Sequence, residues 1–221
     1  PNVEAVMALE PDLVITMVRA DIADKLQVDN LHNMIPTVAL EIEEPTDVWD
    51  RYPDLAAALG CIEFANAELA GLDEGLESIK TEHADAIADL GPVAYVEGSD
   101  EPATYQIATN KSLVYERLQL AGLTYFDGVD PDPKRYVDLV SVEEVDRLSS
   151  ANVLFYEADA DGNPTKRTQE LLDSPVFQSL PAVQAGNLFP YRTPYAYTVA
   201  AVNRQIADIE AGVEAATPVN R

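Results

Sequence analysis

At 221 residues the chain is long enough to bury one large core or two smaller ones. Its 39 Asp and Glu outnumber 14 Lys and Arg and are spread along the whole length, giving a net charge of −25; such a field repels nucleic acid and anionic lipid and excludes both as partners. No apolar run approaches the ~20 residues of a membrane-spanning helix, and the lone Cys61 rules out an internal disulfide.

In chain order, Val3, Val6 and Met7 line one side of a short helical patch. Pro11-Asp12 punctuates, and Leu13-Val14-Ile15 reads as a compact strand. A helix from about Asp21 to Met34 and a strand in "TVALEI" complete a β-α-β rhythm, which implies parallel strands. "TDVWDRYPDLAAALG" predicts a helix interrupted at Pro53, with Thr46 as N-cap, Gly60 as its stop and Trp49 packed within it. The most regular segment follows: Ile62, Ala65, Leu69, Leu72, Leu76, Ile79, His83, Ala86 and Leu90 recur at steps of three and four. That spacing predicts one helix from about Cys61 to Ala88, about 40 Å long. Cys61 is expected as a small buried hydrophobe at its start.

After Gly91-Pro92 the alternation resumes with strand "VAYVEG", a loop carrying Tyr105, and a helix from Lys111 to Ala121 with Asn110 as N-cap and Gly122 at C′. A helix near Val142 to Leu148 leads into strand "NVLFYEA". The remainder gives a helix around Thr168 to Leu172, a short one at "SPVFQSL", an edge strand "NLFPY" and a closing helix from about Ala196 to Ala211. "DPDPKRYVD" and "DADGN" read as acidic surface turns; the second resembles part of a calcium loop but lacks the later bidentate glutamate. The natural divisions are 1–48, a first lobe; 49–90, a helical connector; and 91–221, a second lobe.

Dinucleotide-binding, P-loop and nucleophile-elbow signatures find no match, so the sequence points to binding rather than catalysis. Of the two histidines, His83 falls on the long apolar seam and His32 near a helix end, so no metal-ligand set is expected.

"PNVEAVMALEPDLVIT", "VSVEEVDRLSSANVLFY" and "SPVFQSLPAVQAGNLFPY", in this order around one long helix, resemble the substrate-binding proteins of iron–siderophore, haem and vitamin B12 ABC importers. The resemblance implies an α/β fold with two Rossmann-like lobes on parallel sheets, joined by one rigid α-helix. It also implies that the N-terminal lobe is truncated, since family members carry further elements and a signal peptide, often ending in a lipidated cysteine, before the first motif. The implied function is capture of a ferric siderophore and delivery to an ABC permease. The implied location is periplasmic, or on the outer face of the cell membrane as a lipoprotein. No cofactor is implied; the iron chelate is cargo. Haem or a corrinoid is the alternative within the family, with Tyr195 as the axial ligand to test for haem. An α/β enzyme or interaction domain of similar architecture is the alternative outside it.

By motif, the family's two permease-docking glutamates correspond to Glu4 and Glu143, with Glu144 a rival for the second. Two charges on separate lobes report position to a partner and fix its register. Ligand residues are expected after the carboxyl ends of strands. Those positions are Arg19 after "LVITM", Tyr105 after "VAYVEG", Tyr156 in "NVLFY", and Tyr191, Arg192, Tyr195 and Tyr197 in "FPYRTPYAY". Guanidinium charge and aromatic faces suit broad anionic chelates.

Overall fold

The computed structural model describes residues 3–19, 22–23, 25, 27–195 and 197–219. It contains two compact units, one reaching Glu68 and the other starting at Leu69. The division falls inside the long helix, so the stretch 49–90 is shared between the units.

The first unit holds α1 (Val3–Met7), β1 (Val14–Val18), α2 (Val28–Met34), β2 (Thr37–Glu41), α3 (Asp47–Asp50) and α4 (Tyr52–Ala58). The two strands pair in parallel, Val14 opposite Thr37 and Val18 opposite Glu41, as the β-α-β rhythm predicts. The helix expected from Asp21 starts only at Val28, because Gln27 is left-handed at φ 54°; Asp21 itself lies outside the described residues. Thr46 makes no side-chain cap. Asp47 does that work instead, its Oδ2 accepting from the backbone N–H of Glu43 at 2.7 Å and of Glu44 at 2.9 Å. Pro53 sits in the first turn of α4, where its missing N–H costs no helical bond. Trp49 meets Tyr52 edge-on at 5.8 Å.

Gly60 ends α4 as predicted. Its φ of 73° permits the left-handed turn, with Gly60 N–H on Ala57 O and Cys61 N–H on Ala56 O. That reversal leaves the Cys61 side chain exposed, not buried.

The long helix runs as α5 (Ile62–Glu82) and, after a break, α6 (Ala84–Leu90). His83 interrupts it at φ −109°, ψ 21°. Up to the break the predicted seam holds: Ala65, Leu72, Leu76 and Ile79 are buried. Beyond it the inward face slips by one, so Ala86 is exposed while Ile87 is partly covered and Leu90 buried. Neither Gly nor Pro marks the interruption, which hides it from periodicity.

The second unit is built on a five-stranded sheet of order β5-β4-β3-β6-β7. Its strands are β3 (Val93–Gly98), β4 (Thr104–Ala108), β5 (Val137–Ser141), β6 (Val153–Ala158) and β7 (Leu188–Arg192). The sheet is mixed: β3, β6 and β7 run parallel, β4 runs antiparallel to β3, and β5 pairs antiparallel with β4. This corrects two expectations. Tyr105 is in β4 and not in a loop, and the end of "DPDPKRYVD" opens β5. Helix α7 (Leu113–Leu120) is capped by Ser112, whose hydroxyl accepts from Tyr115 N–H, and not by Asn110. It ends at Gly122, φ 86°, with the predicted left-handed turn. A 3-10 helix (Val142–Ser150) follows, capped by Ser141. Helices α8 (Lys166–Leu172), α9 (Pro175–Gln178), α10 (Pro181–Gln184) and α11 (Val199–Ala215) complete the unit. Tyr95, Tyr105, Tyr191, Phe126, Phe155 and Phe177 are its largest fully buried side chains. At roughly 1.5–3 kcal/mol for each such side chain, they make this sheet the stable body of the chain.

Candidate functional site

The parallel strands β3, β6 and β7 all end on one edge of the second unit's sheet, where open α/β sheets place their crevices. Strand β3 is apolar and buried until Glu97, which is only 5% exposed. Two tyrosines hold its carboxyl group. Tyr95, two residues back on the same face, donates to Oε2 at 2.8 Å, and Tyr195 donates across both oxygens at 2.5 and 2.6 Å. Burial raises the Glu97 pKa from 4.5 to about 7, outweighing the two hydroxyl bonds that favour its charged form; nearby Glu157 pushes the same way. Burial, and then the Glu97 charge, also raises the Tyr195 phenol well above its ordinary value, so it stays a donor.

Glu157, near the end of β6, is fixed by the start of α8. Thr165 and Thr168 donate to its Oε2 at 2.7 and 2.6 Å. The Thr168 hydroxyl also accepts from Gly98 N–H at 2.9 Å. Gly98 is required for this approach, since a Cβ there would lie 2.3 Å from the Arg167 carbonyl carbon.

Above this buried acid lies an aromatic ledge. Tyr136, Tyr195 and Tyr197 are 40, 42 and 43% exposed, and the Tyr136 and Tyr195 rings meet edge-on at 6.2 Å. Tyr156 on β6 is half-buried, its phenol pKa raised by burial and then by Asp208. Arg192, the last residue of β7, is committed to Asp208: its Nε and Nη2 reach Oδ1 at 2.8 and 2.7 Å, and its backbone N–H reaches Oδ2 at 2.7 Å. A separate groove of about 460 Å³ beside β4 and β5 is lined by Gln106, Lys134, Arg135 and several acids.

The predicted residues therefore divide. Tyr195 and Tyr197 lie at this edge, where Arg192 also ends β7, while Tyr156, in register with Val96, is on the sheet face opposite Glu97. Tyr191 does not offer a surface: it is fully buried, edge-on to Tyr95 at 5.8 Å, and its hydroxyl donates to Gln205, which also binds Arg117. Burial raises its pKa to about 12. Tyr105 is likewise in the core, its hydroxyl 3.5 Å from Glu144 O. Arg19 is exposed directly after β1, in the first unit. Glu4 on α1 and Glu143 in the 3-10 helix are both exposed, one in each unit. Glu97 and Tyr136 escape sequence reasoning; an acid closing the otherwise apolar "VAYVEG" was the available signal for the first.

The family profile of periplasmic binding proteins matches residues 1–195. A siderophore periplasmic binding protein from the fuscachelin gene cluster of Thermobifida fusca is 32% identical, with a TM-score of 0.85 over 96% of this chain and 78% of its own. The iron(3+)-hydroxamate-binding protein YxeB of Bacillus subtilis is 24% identical over 218 residues, covering 93% of this chain. This chain spans 63% of that relative's length. The Fe3+–Desferal-bound siderophore-binding protein FhuD of Vibrio cholerae, 19% identical, shares the fold at a TM-score of 0.75 over 98% of this chain and 80% of its own.

Proposed function

The chain belongs to the periplasmic binding protein family, and on that premise we propose that it is the extracytoplasmic solute-binding component of an ABC importer, with a ferric siderophore as cargo. The observation that carries this reading is 32% identity across 96% of the chain to a siderophore-binding member of the family. The ligand face is the aromatic ledge of Tyr136, Tyr195 and Tyr197, with Arg192 ending β7 at the same edge; Tyr156 and, in the first unit, Arg19 are the further candidate ligand residues. Broad planar donor groups of a chelate stack on such rings, and the tyrosine hydroxyls donate to its anionic oxygens. Glu4 and Glu143 are the permease-docking charges. The protein works outside the cytoplasm, in the periplasm or on the outer face of the cell membrane through a lipid anchor.

Intrinsic fluorescence titrated with a ferric hydroxamate, a ferric catecholate, haem and cobalamin tests the reading. Saturable quenching by a ferric siderophore is expected, weakened at least ~10-fold by Tyr195→Ala, in line with loss of an aromatic anchor. Response to haem or cobalamin alone, or to none of the four, overturns it. In cells, Glu4→Ala with Glu143→Ala should abolish uptake while leaving that titration unchanged; normal uptake removes the docking roles.

A further inference from the structure

The break in the long helix places an imidazole against two carboxylates from the far end of the chain. His83, between α5 and α6, is 20% exposed, and its Nε2 stands 3.5 Å from Glu210 Oε1. Glu214, one turn further along α11, joins them: one ligand atom from each of the three lies within 4.8 Å of the others. This cluster is remote from the aromatic ledge. Helix α11 starts after β7 ends and runs back, so that Thr217 beyond its last turn exchanges hydrogen bonds with Asn187, just before β7 begins. Glu210 and Glu214 therefore belong to the opposite, amino edge of the sheet.

We propose that His83, Glu210 and Glu214 form a binding site for a divalent transition-metal cation of the zinc class. Three arguments converge. The ligand chemistry is one imidazole nitrogen and two carboxylate oxygens, a set that suits zinc with the remaining position left to water. The distance fits as well. With metal–ligand bonds of about 2.0–2.2 Å, two ligands at a tetrahedral angle are about 3.4 Å apart. His83 and Glu210 already stand at 3.5 Å, longer than the usual hydrogen bond. The Glu214 carboxylate is exposed, so rotation of its side chain can close the remaining gap.

The third argument is electrostatic and independent of the imidazole. Helix C-termini favour cations, because their unpaired carbonyls carry the negative end of the dipole. The last turns of α11 hold Glu210 and Glu214 instead, and no basic residue. Two like charges one turn apart repel as well. A bound cation removes both penalties, and it fastens the break after α5 to α11. The α5 stretch is seated for this: a Cβ on Gly75 would lie 3.3 Å from Ile206 Cδ1 of α11.

Calorimetric titration of the 221-residue chain with zinc, after chelator treatment, tests the site, with cobalt absorption as a second readout. One equivalent should bind, raise Tm by about 5 °C at saturation, and with cobalt give visible bands of a nitrogen- and oxygen-ligated ion. His83→Ala, and Glu210→Gln with Glu214→Gln, should each weaken binding at least ~10-fold while melting normally without metal. Glu170→Gln, an exposed acid on α8, should change nothing. Failure to bind at millimolar zinc, unaltered binding in His83→Ala, or equal weakening in Glu170→Gln overturns the proposal. The last result would make the uptake a diffuse effect of the acidic surface.

Discussion

Moving the Glu97 carboxyl from water into the sheet shifts its proton affinity from 4.5 to about 7, and the consequence for stability has a definite sign. Below pH 4.5 the group is protonated in both folded and unfolded chains and contributes no penalty. Between 4.5 and about 7 the unfolded chain releases its proton while the folded one keeps it, so stability falls as pH rises. Above about 7 the full cost is present, on the order of 3 kcal/mol. Glu97→Gln removes this titration while keeping an acceptor for Tyr95 and Tyr195. Denaturant unfolding of both proteins at pH 4.5 and 8 should show the variant gaining on the wild type by that order. A pH-independent difference would mean that the carboxyl is hydrated in the folded chain. The sequence offered little warning of this residue, since one acid among 39 carries no label and its burial depends on Tyr195, far along the chain. Tyr195 itself was legible, because a cluster of tyrosines after a strand is rare enough to notice.

Individual elements were readable where local chemistry determines them. Gly60 and Gly122 end their helices because each supplies the positive φ that the terminal turn demands. Strand "VAYVEG" is a continuous apolar run and forms the buried centre of its sheet. The antiparallel pair was not readable. "TYQIA" alternates only weakly after Pro102, and "VDLVS" emerges from an acidic, turn-rich stretch. Both are strands because β3 offers an open edge, a tertiary cause. Glycine illustrates the same divide within elements. Gly98→Ala forces a methyl group to within 2.4 Å of Thr168 N and should destabilise by about 1–3 kcal/mol as α8 is displaced. Gly71→Ala, in α5 with nothing within 4 Å, should stabilise by up to ~1 kcal/mol through helix propensity. Opposite shifts in the denaturant midpoint are expected, and shifts of the same sign would contradict this account of α8.

At the scale of the molecule, the two units differ in how much they bury. Among the described residues, the first has Val18, Leu31, Leu40, Ala56 and Ala65 as its buried apolar residues, and its parallel pair of strands leaves Ile15 and Met17 exposed at 41 and 58%. Parallel sheets are ordinarily covered on both faces, and two strands alone are marginal. Hydrogen exchange followed by mass spectrometry should therefore show β1 and β2 opening well before β3 and β6; matched protection would contradict the difference read from burial. At the carboxyl edge of the larger unit the logic is reversed. A single threonine hydroxyl, that of Thr168, is shared by strand β3 through Gly98, strand β6 through Glu157, and the first turn of α8. Nothing there can slacken in part: loosening one of the three strips a partner from each of the others. The floor beneath the tyrosines therefore yields as a whole or not at all.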